Sequence, residues 1–322
     1  VEYFLLVIGF VLLVKGADLF VDGTVNIAQA FKIPTLIIGL TIVAFGTSAP
    51  EAAVSISAAL KGNAGISIGN VIGSNIFNIA FILGLTAMIY PLKVQTSTIK
   101  KEIPLALVGG LLLFVFADDM LFGVNAGWII ERNEGIALLI MFAVFLYYII
   151  ESAAGNKDLV FPEDAFSVKQ MSVKKAVFIG CVGLSGVVAG GYLVVWAGST
   201  IALSLGMSET LVGLTIVAVG TSLPELVTSL VAARKKEADI AVGNIVGSNI
   251  FNVLFILGFS SVLSPMPVDP ILFVDLLLNI GITILLFFFC WSGFRVNRIE
   301  GASLFSIYIL YMIYLIFLNV TW

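Results

Sequence analysis

Apolar residues fall in long, nearly unbroken blocks along this chain, among them Ile103–Phe116, Ile136–Ile150 and Ile271–Phe289. An α-helix needs about 20 residues to cross a hydrocarbon layer ~30 Å thick. Strands of a membrane barrel would instead alternate with a period of two, and these blocks do not. Punctuated by Gly, Pro and charge, the pattern predicts ten helices at 2–22, 36–60, 66–90, 103–117, 135–151, 175–203, 210–233, 240–264, 271–293 and 301–320. One long polar connection, roughly Glu151 to Lys174, divides the chain near its middle.

Composition agrees with the pattern. The chain is 60% hydrophobic and 11% charged, against about 25% charged residues in soluble domains. Too few charges exist to cover a water-facing surface. Cys181 and Cys290 lie in apolar spans and read as small core residues, not a disulfide framework. The chain has no histidine, which removes imidazole metal sites, histidine proton relays and Ser-His catalysis.

The two halves repeat each other. Residues 40–51 read LTIVAFGTSAPE and residues 214–225 read LTIVAVGTSLPE, ten identities in twelve; residues 67–78 read SIGNVIGSNIFN and residues 241–252 read AVGNIVGSNIFN, eight in twelve. Both pairs align at the same offset of 174 without a gap. Chance similarity between apolar stretches does not keep Gly, Thr, Ser, Pro, Glu and Asn in register, so the chain contains an internal duplication. Each copy holds five predicted helices, and an odd number forces the second copy to enter the membrane upside down. Inverted repeats are a transporter architecture, with the substrate site where the copies meet. The expected fold is an all-α membrane protein of ten transmembrane helices in two inverted-topology five-helix repeats. Residues 1–151 form the first repeat (motif 40–78), 152–174 a linker, and 175–322 the second repeat (motif 214–252).

Basic residues orient this arrangement. Lys32, Lys93, Lys100, Lys101, Lys157, Lys169, Lys174, Lys175, Arg234, Lys235, Lys236, Arg295 and Arg298 fall in loops on one side, and only Lys61 and Arg132 on the other. The positive-inside rule makes the rich side cytoplasmic. The expectation is a multi-pass protein of the cell membrane with a cytoplasmic central loop and both termini outside.

Glu51 and Glu225 sit in the middle of predicted apolar helices, where an ionisable group costs a few kcal/mol. A single such residue can be satisfied by a local hydrogen bond. Two at equivalent positions, each in a GTSxPE cluster, point to function. Pro50 and Pro224 bring no N–H to the carbonyls of Gly46 and Gly220, and the glycines allow bending or close approach; a plain packing kink is the competing account. Thr47, Ser48, Thr221 and Ser222 add hydroxyl oxygens. Ser74 and Asn78, four apart, share a helix face, as do Ser248 and Asn252, so they are either neutral oxygen ligands or interhelical hydrogen bonds. Gly69, Gly73, Gly243 and Gly247 read as close-packing seams, and Asn75 and Asn249 as structural. Oxygen donors with two carboxylates suit Ca2+ or Na+. Two ionised glutamates balance one Ca2+.

At these residues the chain resembles the Ca2+/cation antiporter superfamily, specifically its sodium/calcium exchanger branch: GTSAPE with GNVIGSN and GTSLPE with GNIVGSN are similar to its two alpha repeats. The resemblance covers essentially the whole chain. It implies secondary active exchange of Ca2+ for Na+ by alternating access, with the second and third helices of each half forming the ion-binding core and the first and sixth sliding against it. It implies ligands at Thr47, Ser48, Glu51, Ser74 and Asn78, and at Thr221, Ser222, Glu225, Ser248 and Asn252, with the backbone carbonyls of Ala44 and Ala218. One Ca2+ against three Na+ would make the exchange electrogenic. Many relatives, including potassium-dependent exchangers, carry Asp where this chain has Asn252, which lowers the expectation of K+ dependence. Proton-coupled Ca2+ exchange, whose branch carries a different motif, and a passive cation channel are the alternatives. An intramembrane enzyme lacks a basic partner for Thr47 or Ser48. Ca2+, Na+ and the lipid bilayer are the implied partners, with no cofactor, nucleic acid or obligate protein partner.

Overall fold

The computed structural model describes residues 1–117, 128–155, 171–206 and 218–320. Helix α1 spans Glu2–Phe31 and closes on Lys32 in the left-handed region (φ 54°), with Pro34 preventing its continuation. Next come α2 (Thr35–Thr47) and α3 (Ala49–Leu60), bent by 51° to one another at Ser48. Helix α4 spans Ala64–Ile89, α5 Ile103–Ala117 and α6 Arg132–Gly155. The second half holds α7 (Val173–Ser204), α8 (Ala218–Thr221), α9 (Leu223–Arg234), α10 (Ala238–Leu263), α11 (Leu272–Gly293) and α12 (Arg298–Val320). Among the described residues, seven helices are long and apolar enough to cross a membrane, or eight with the bent pair counted as one span. The chain is therefore an all-α multi-pass membrane protein. Predicted residues 156–170 of the linker, and 210–217 of the seventh helix with motif positions 214–217, lie outside the described residues.

Geometry repeats where sequence repeats. The α2–α3 break at Ser48 (φ −81°, ψ 8°) recurs between α8 and α9 at Ser222 (φ −91°, ψ 7°). Helix α4 widens to π geometry over Phe77–Leu83, and α10 does so over Phe251–Leu257. The turn into α4 uses Gly62 at φ 77° and the turn into α10 uses Lys236 at φ 64°. Two short antiparallel ladders tie the halves together, β1 (Leu92–Lys93) with β4 (Arg295–Val296) and β2 (Ile129–Ile130) with β3 (Met266–Pro267).

Helix α10 is the most enclosed, with 94% of its apolar window buried, whereas α12 buries 17%. Outer helices present Ile140, Val144, Tyr147, Leu310 and Phe317 to the surroundings, the surface a lipid-facing helix needs. In lipid, apolar side chains gain little by leaving their solvent, so helix association depends on close packing. Backbone meets backbone along α1 and α7, which run antiparallel, with Gly9 against Gly190, Gly16 against Gly183 and Gly23 against Gly180. A Cβ on Gly16 would lie 2.6 Å from the Val187 nitrogen, and one on Gly183 2.3 Å from the Phe20 nitrogen. Small residues there are a condition of contact.

Helix α1 runs past its predicted end at residue 22 to Phe31, and the aspartates near that predicted end have partners. Arg234 binds Asp18 at 2.7 Å, and Lys235 binds Asp22 at 2.6 Å while donating to the Asp18 carbonyl at 2.8 Å. In the same turn Glu237 is buried. Burial first, then the neighbouring Asp239 charge, push its carboxyl up to about 7, with Lys235 opposing.

Two predictions follow from packing and charge. Gly16→Ala drives a methyl into backbone and should cost about 1–3 kcal/mol, lowering the melting temperature of the detergent-solubilised protein. Because the folded state holds the Glu237 proton that an unfolded chain loses above its ordinary value of 4.5, this group's contribution to stability falls as pH rises from about 4.5 to 7 and stays low above that. Glu237→Gln should therefore raise the melting temperature at pH 8 relative to the parent and leave the difference near zero at pH 4.

Candidate functional site

The site is assembled where the two broken helices face each other. A helix that ends at Ser48 and restarts at Ala49 places Pro50 in the first turn of α3, where a missing N–H costs nothing. Pro224 occupies the equivalent place in α9. The prolines thus stabilise the restart, and the bend itself falls two residues earlier, at the serines. Gly46 and Gly220 sit just before the bends. A Cβ on Gly46 would meet Leu184 at 2.9 Å, and one on Gly220 would meet Val195 at 2.2 Å, so both leave room for side chains of α7.

Glu51 and Glu225, each in the first turn after its break, are 1% exposed. Carboxylates at helix N-termini benefit from the helix dipole, but that does not replace their lost hydration. Their serine hydrogen bonds at 2.8 Å cross the repeat. Ser48 Oγ donates to Glu225 Oε1 and Ser222 Oγ to Glu51 Oε1, both at 2.8 Å. Ser222 Oγ also lies 3.2 Å from Ser74 Oγ, and Ser248 Oγ lies 3.4 Å from the Ala44 carbonyl. Thr47 is wholly buried and Thr221 7% exposed. Thr47 Oγ1 contacts Asn244 Oδ1 at 3.0 Å and its own helix carbonyl Val43 O at 3.0 Å. Ala218 opens α8.

Residues outside the expected ligand set hold this core in place. Asn70 Nδ2 donates to Ser55 Oγ at 2.9 Å and approaches the Glu51 carbonyl at 3.4 Å; Asn244 Nδ2 donates to Ser229 Oγ at 2.9 Å and approaches the Glu225 carbonyl at 3.3 Å. Ser55 and Ser229 carried no sequence expectation, although each stands four residues after its Glu at the repeat offset. Asn75 and Asn249 meet at the centre of the molecule, joined to Asn252 and Asn78.

Twelve buried side-chain oxygens among the described residues have no partner, and four of them belong to expected ligands: Glu51 Oε2, Glu225 Oε2, Asn78 Oδ1 and Asn252 Oδ1. A buried acceptor left unmatched costs about 1–3 kcal/mol, and more for a charged group. Among the described residues neither glutamate has an ion-pair partner, and no three His, Cys, Asp or Glu cluster together. Two carboxylates amid hydroxyl and amide oxygens make a hard, oxygen-only environment.

Apolar helices enclosing such a cluster are the construction of a membrane transporter for hard cations. The sodium/calcium exchanger protein family matches residues 1–151 and 175–317, and the chain belongs to that family, which places it among transport proteins and not enzymes. It is 41% identical to the putative antiporter CaxA of Alkalimonas amylolytica over 81% of each chain. It is 34% identical to the sodium/calcium exchanger MaX1 of Methanosarcina acetivorans over 96% of each. The solved sodium-calcium exchanger NCX_Mj, soaked without Na+ or Ca2+, superimposes with a TM-score of 0.83 at 32% identity, covering 98% of both chains.

Glu51→Gln and Glu225→Gln keep the hydrogen-bond acceptor for the cross-repeat serine but remove a charge. Breaking one side of a buried charge arrangement costs about 3–5 kcal/mol, so each substitution should weaken Ca2+ binding by more than about 100-fold. Isothermal titration of the purified variants, with a melting curve to establish that they fold, measures this directly.

Proposed function

We propose that this protein exchanges Ca2+ for Na+ across the cell membrane by alternating access. The observation that carries the reading is that Glu51, Glu225, Asn78 and Asn252, repeat equivalents in pairs and joined across the repeats by the serine and asparagine hydrogen bonds, each keep one buried oxygen without a partner. One Ca2+ would match the two carboxylates in charge and accept the amide oxygens, while Na+ prefers the same oxygen cage and would compete. In this reading the ligands are Glu51, Glu225, Thr47, Ser48, Thr221, Ser222, Ser74, Asn78, Ser248 and Asn252 with the carbonyls of Ala44 and Ala218. Three Na+ on two carboxylates leave one positive charge, so exchange against Ca2+ moves net charge.

The architecture proposed for this cycle is ten transmembrane helices in two inverted five-helix repeats, 1–151 and 175–322, joined by a cytoplasmic linker at 152–174. The equivalent breaks at Ser48 and Ser222, and the antiparallel course of α1 and α7, support it. The distribution of basic residues supports cytoplasmic placement of the linker and external termini. Helices α1 and α7 together would slide against the core and open the site to one side at a time.

Proteoliposomes loaded with Na+ and diluted into Na+-free buffer should accumulate 45Ca2+, whereas K+-loaded vesicles should not. With equal K+ on both sides, adding valinomycin clamps the potential and should increase the initial rate, as expected of exchange that moves net charge. Uptake that ignores Na+ but follows a proton gradient would replace this reading with proton-coupled exchange, and uptake without any counter-gradient would replace it with a channel.

A further inference from the structure

Asn75 and Asn249 stand where the two halves touch, each facing its own repeat equivalent. Their amide orientations are set by groups that can only accept. Asn75 Nδ2 donates to the backbone carbonyl of Asn249, and Asn249 Nδ2 donates to that of Asn75, both at 3.3 Å. A carbonyl has no proton to give, so each side chain must turn its NH2 toward the opposite backbone. Its oxygen then faces the other way. Asn75 Oδ1 accepts from Asn252 Nδ2 at 3.0 Å, and Asn249 Oδ1 accepts from Asn78 Nδ2 at 2.9 Å. The second pair of amides is thereby oriented in turn: with Nδ2 engaged, Asn252 and Asn78 each keep one free atom, Oδ1, and these are the buried amide oxygens that lack a partner.

We propose that Asn75 and Asn249 are positioning residues for cation binding, each holding the liganding asparagine with its oxygen, not its NH2, toward the ion. The inference rests on the reading of Asn78 and Asn252 as ligands. An amide is nearly symmetrical in shape, so packing alone does not distinguish its two ends, whereas a cation does: one end is attracted and the other repelled. Two backbone carbonyls decide the matter for all four side chains. The control also runs across the interface, because Asn75 orients the ligand of the second repeat and Asn249 that of the first.

A double-substitution cycle on the KM for Ca2+ in Na+-driven 45Ca2+ uptake separates positioning from bulk structure. Asn252→Ala should raise the KM about tenfold or more, and Asn75→Leu, which removes the acceptor that holds Asn252, should do nearly as much with Vmax within about twofold of the parent. Combined with Asn252→Ala, Asn75→Leu should change the KM by less than about twofold; combined with Asn78→Ala, it should act at nearly full strength. If Asn75→Leu multiplies the KM equally in all three backgrounds, it does not act through Asn252 and the proposal falls. If Asn252→Ala alone leaves the KM unchanged, the liganding role fails first, an outcome distinct from additivity. Should Asn75→Leu not give monodisperse protein, the mirror pair, Asn249→Leu with Asn78→Ala and Asn252→Ala, decides the same question with the roles of the backgrounds exchanged.

Discussion

Each carboxylate in the core receives its hydroxyl hydrogen bond from the helix break that belongs to the other, Ser48 to Glu225 and Ser222 to Glu51. A charge withdrawn from water must be repaid by partners at fixed positions, and here Ser48 and Ser222 are in place only when both halves are packed together. Thr47 reaching Asn244, and the crossed asparagines behind it, obey the same rule. The polar core thus combines bonds within each copy, Asn70 to Ser55 and Asn244 to Ser229, with bonds that exist only at the interface between the copies, which makes close packing of the halves a requirement of the chemistry.

The local chain is shaped to allow this. A continuous helix through residues 35–60 would offer its side chains but no terminus. Ending one helix at Ser48 and starting another at Ala49 gives the carboxylate at residue 51 a helix N-terminus, with its uncommitted N–H groups and positive dipole end. Asn78 and Asn252 fall just inside the π turns of α4 and α10, a geometry that is uncommon in general and frequent at functional sites. The breaks at Ser48 and Ser222, and the widenings over Phe77–Leu83 and Phe251–Leu257, occur at equivalent positions in both halves, as one duplicated segment folding twice would produce.

Glutamates in an apolar run, the Ser-x-Pro-Glu order and the offset of 174 were all legible in the amino-acid sequence, because each is a violation of the surrounding apolar pattern and each occurs twice. Two kinds of information were not. Spacing places Asn75 off the face shared by Ser74 and Asn78, but it does not reveal which end of an amide points where; that depends on a backbone carbonyl 174 residues away. Likewise the apolar pattern ended the first helix at residue 22, and it did not reveal that Asp18 and Asp22 pair with Arg234 and Lys235 or that α1 continues to Phe31. The bend was expected from Pro50 and is found at Ser48, since proline is tolerated in the first turn of a helix and therefore marks a beginning more than an end.

The glycine seam between α1 and α7 has a mechanical meaning. Interlocked backbones, with Val187 and Phe20 filling the notches left by Gly16 and Gly183, resist shear along their length, so the two helices behave as one beam. At 30 and 32 residues, each is about 45 Å long at 1.5 Å per residue, well over the ~30 Å of bilayer hydrocarbon. A pair with that overhang has length to spare for the sliding proposed above, and such a shift would have to part Asp18 and Asp22 from Arg234 and Lys235. In the proposed cycle, excess length would act as travel, and the close packing of the pair would carry motion from one end to the other.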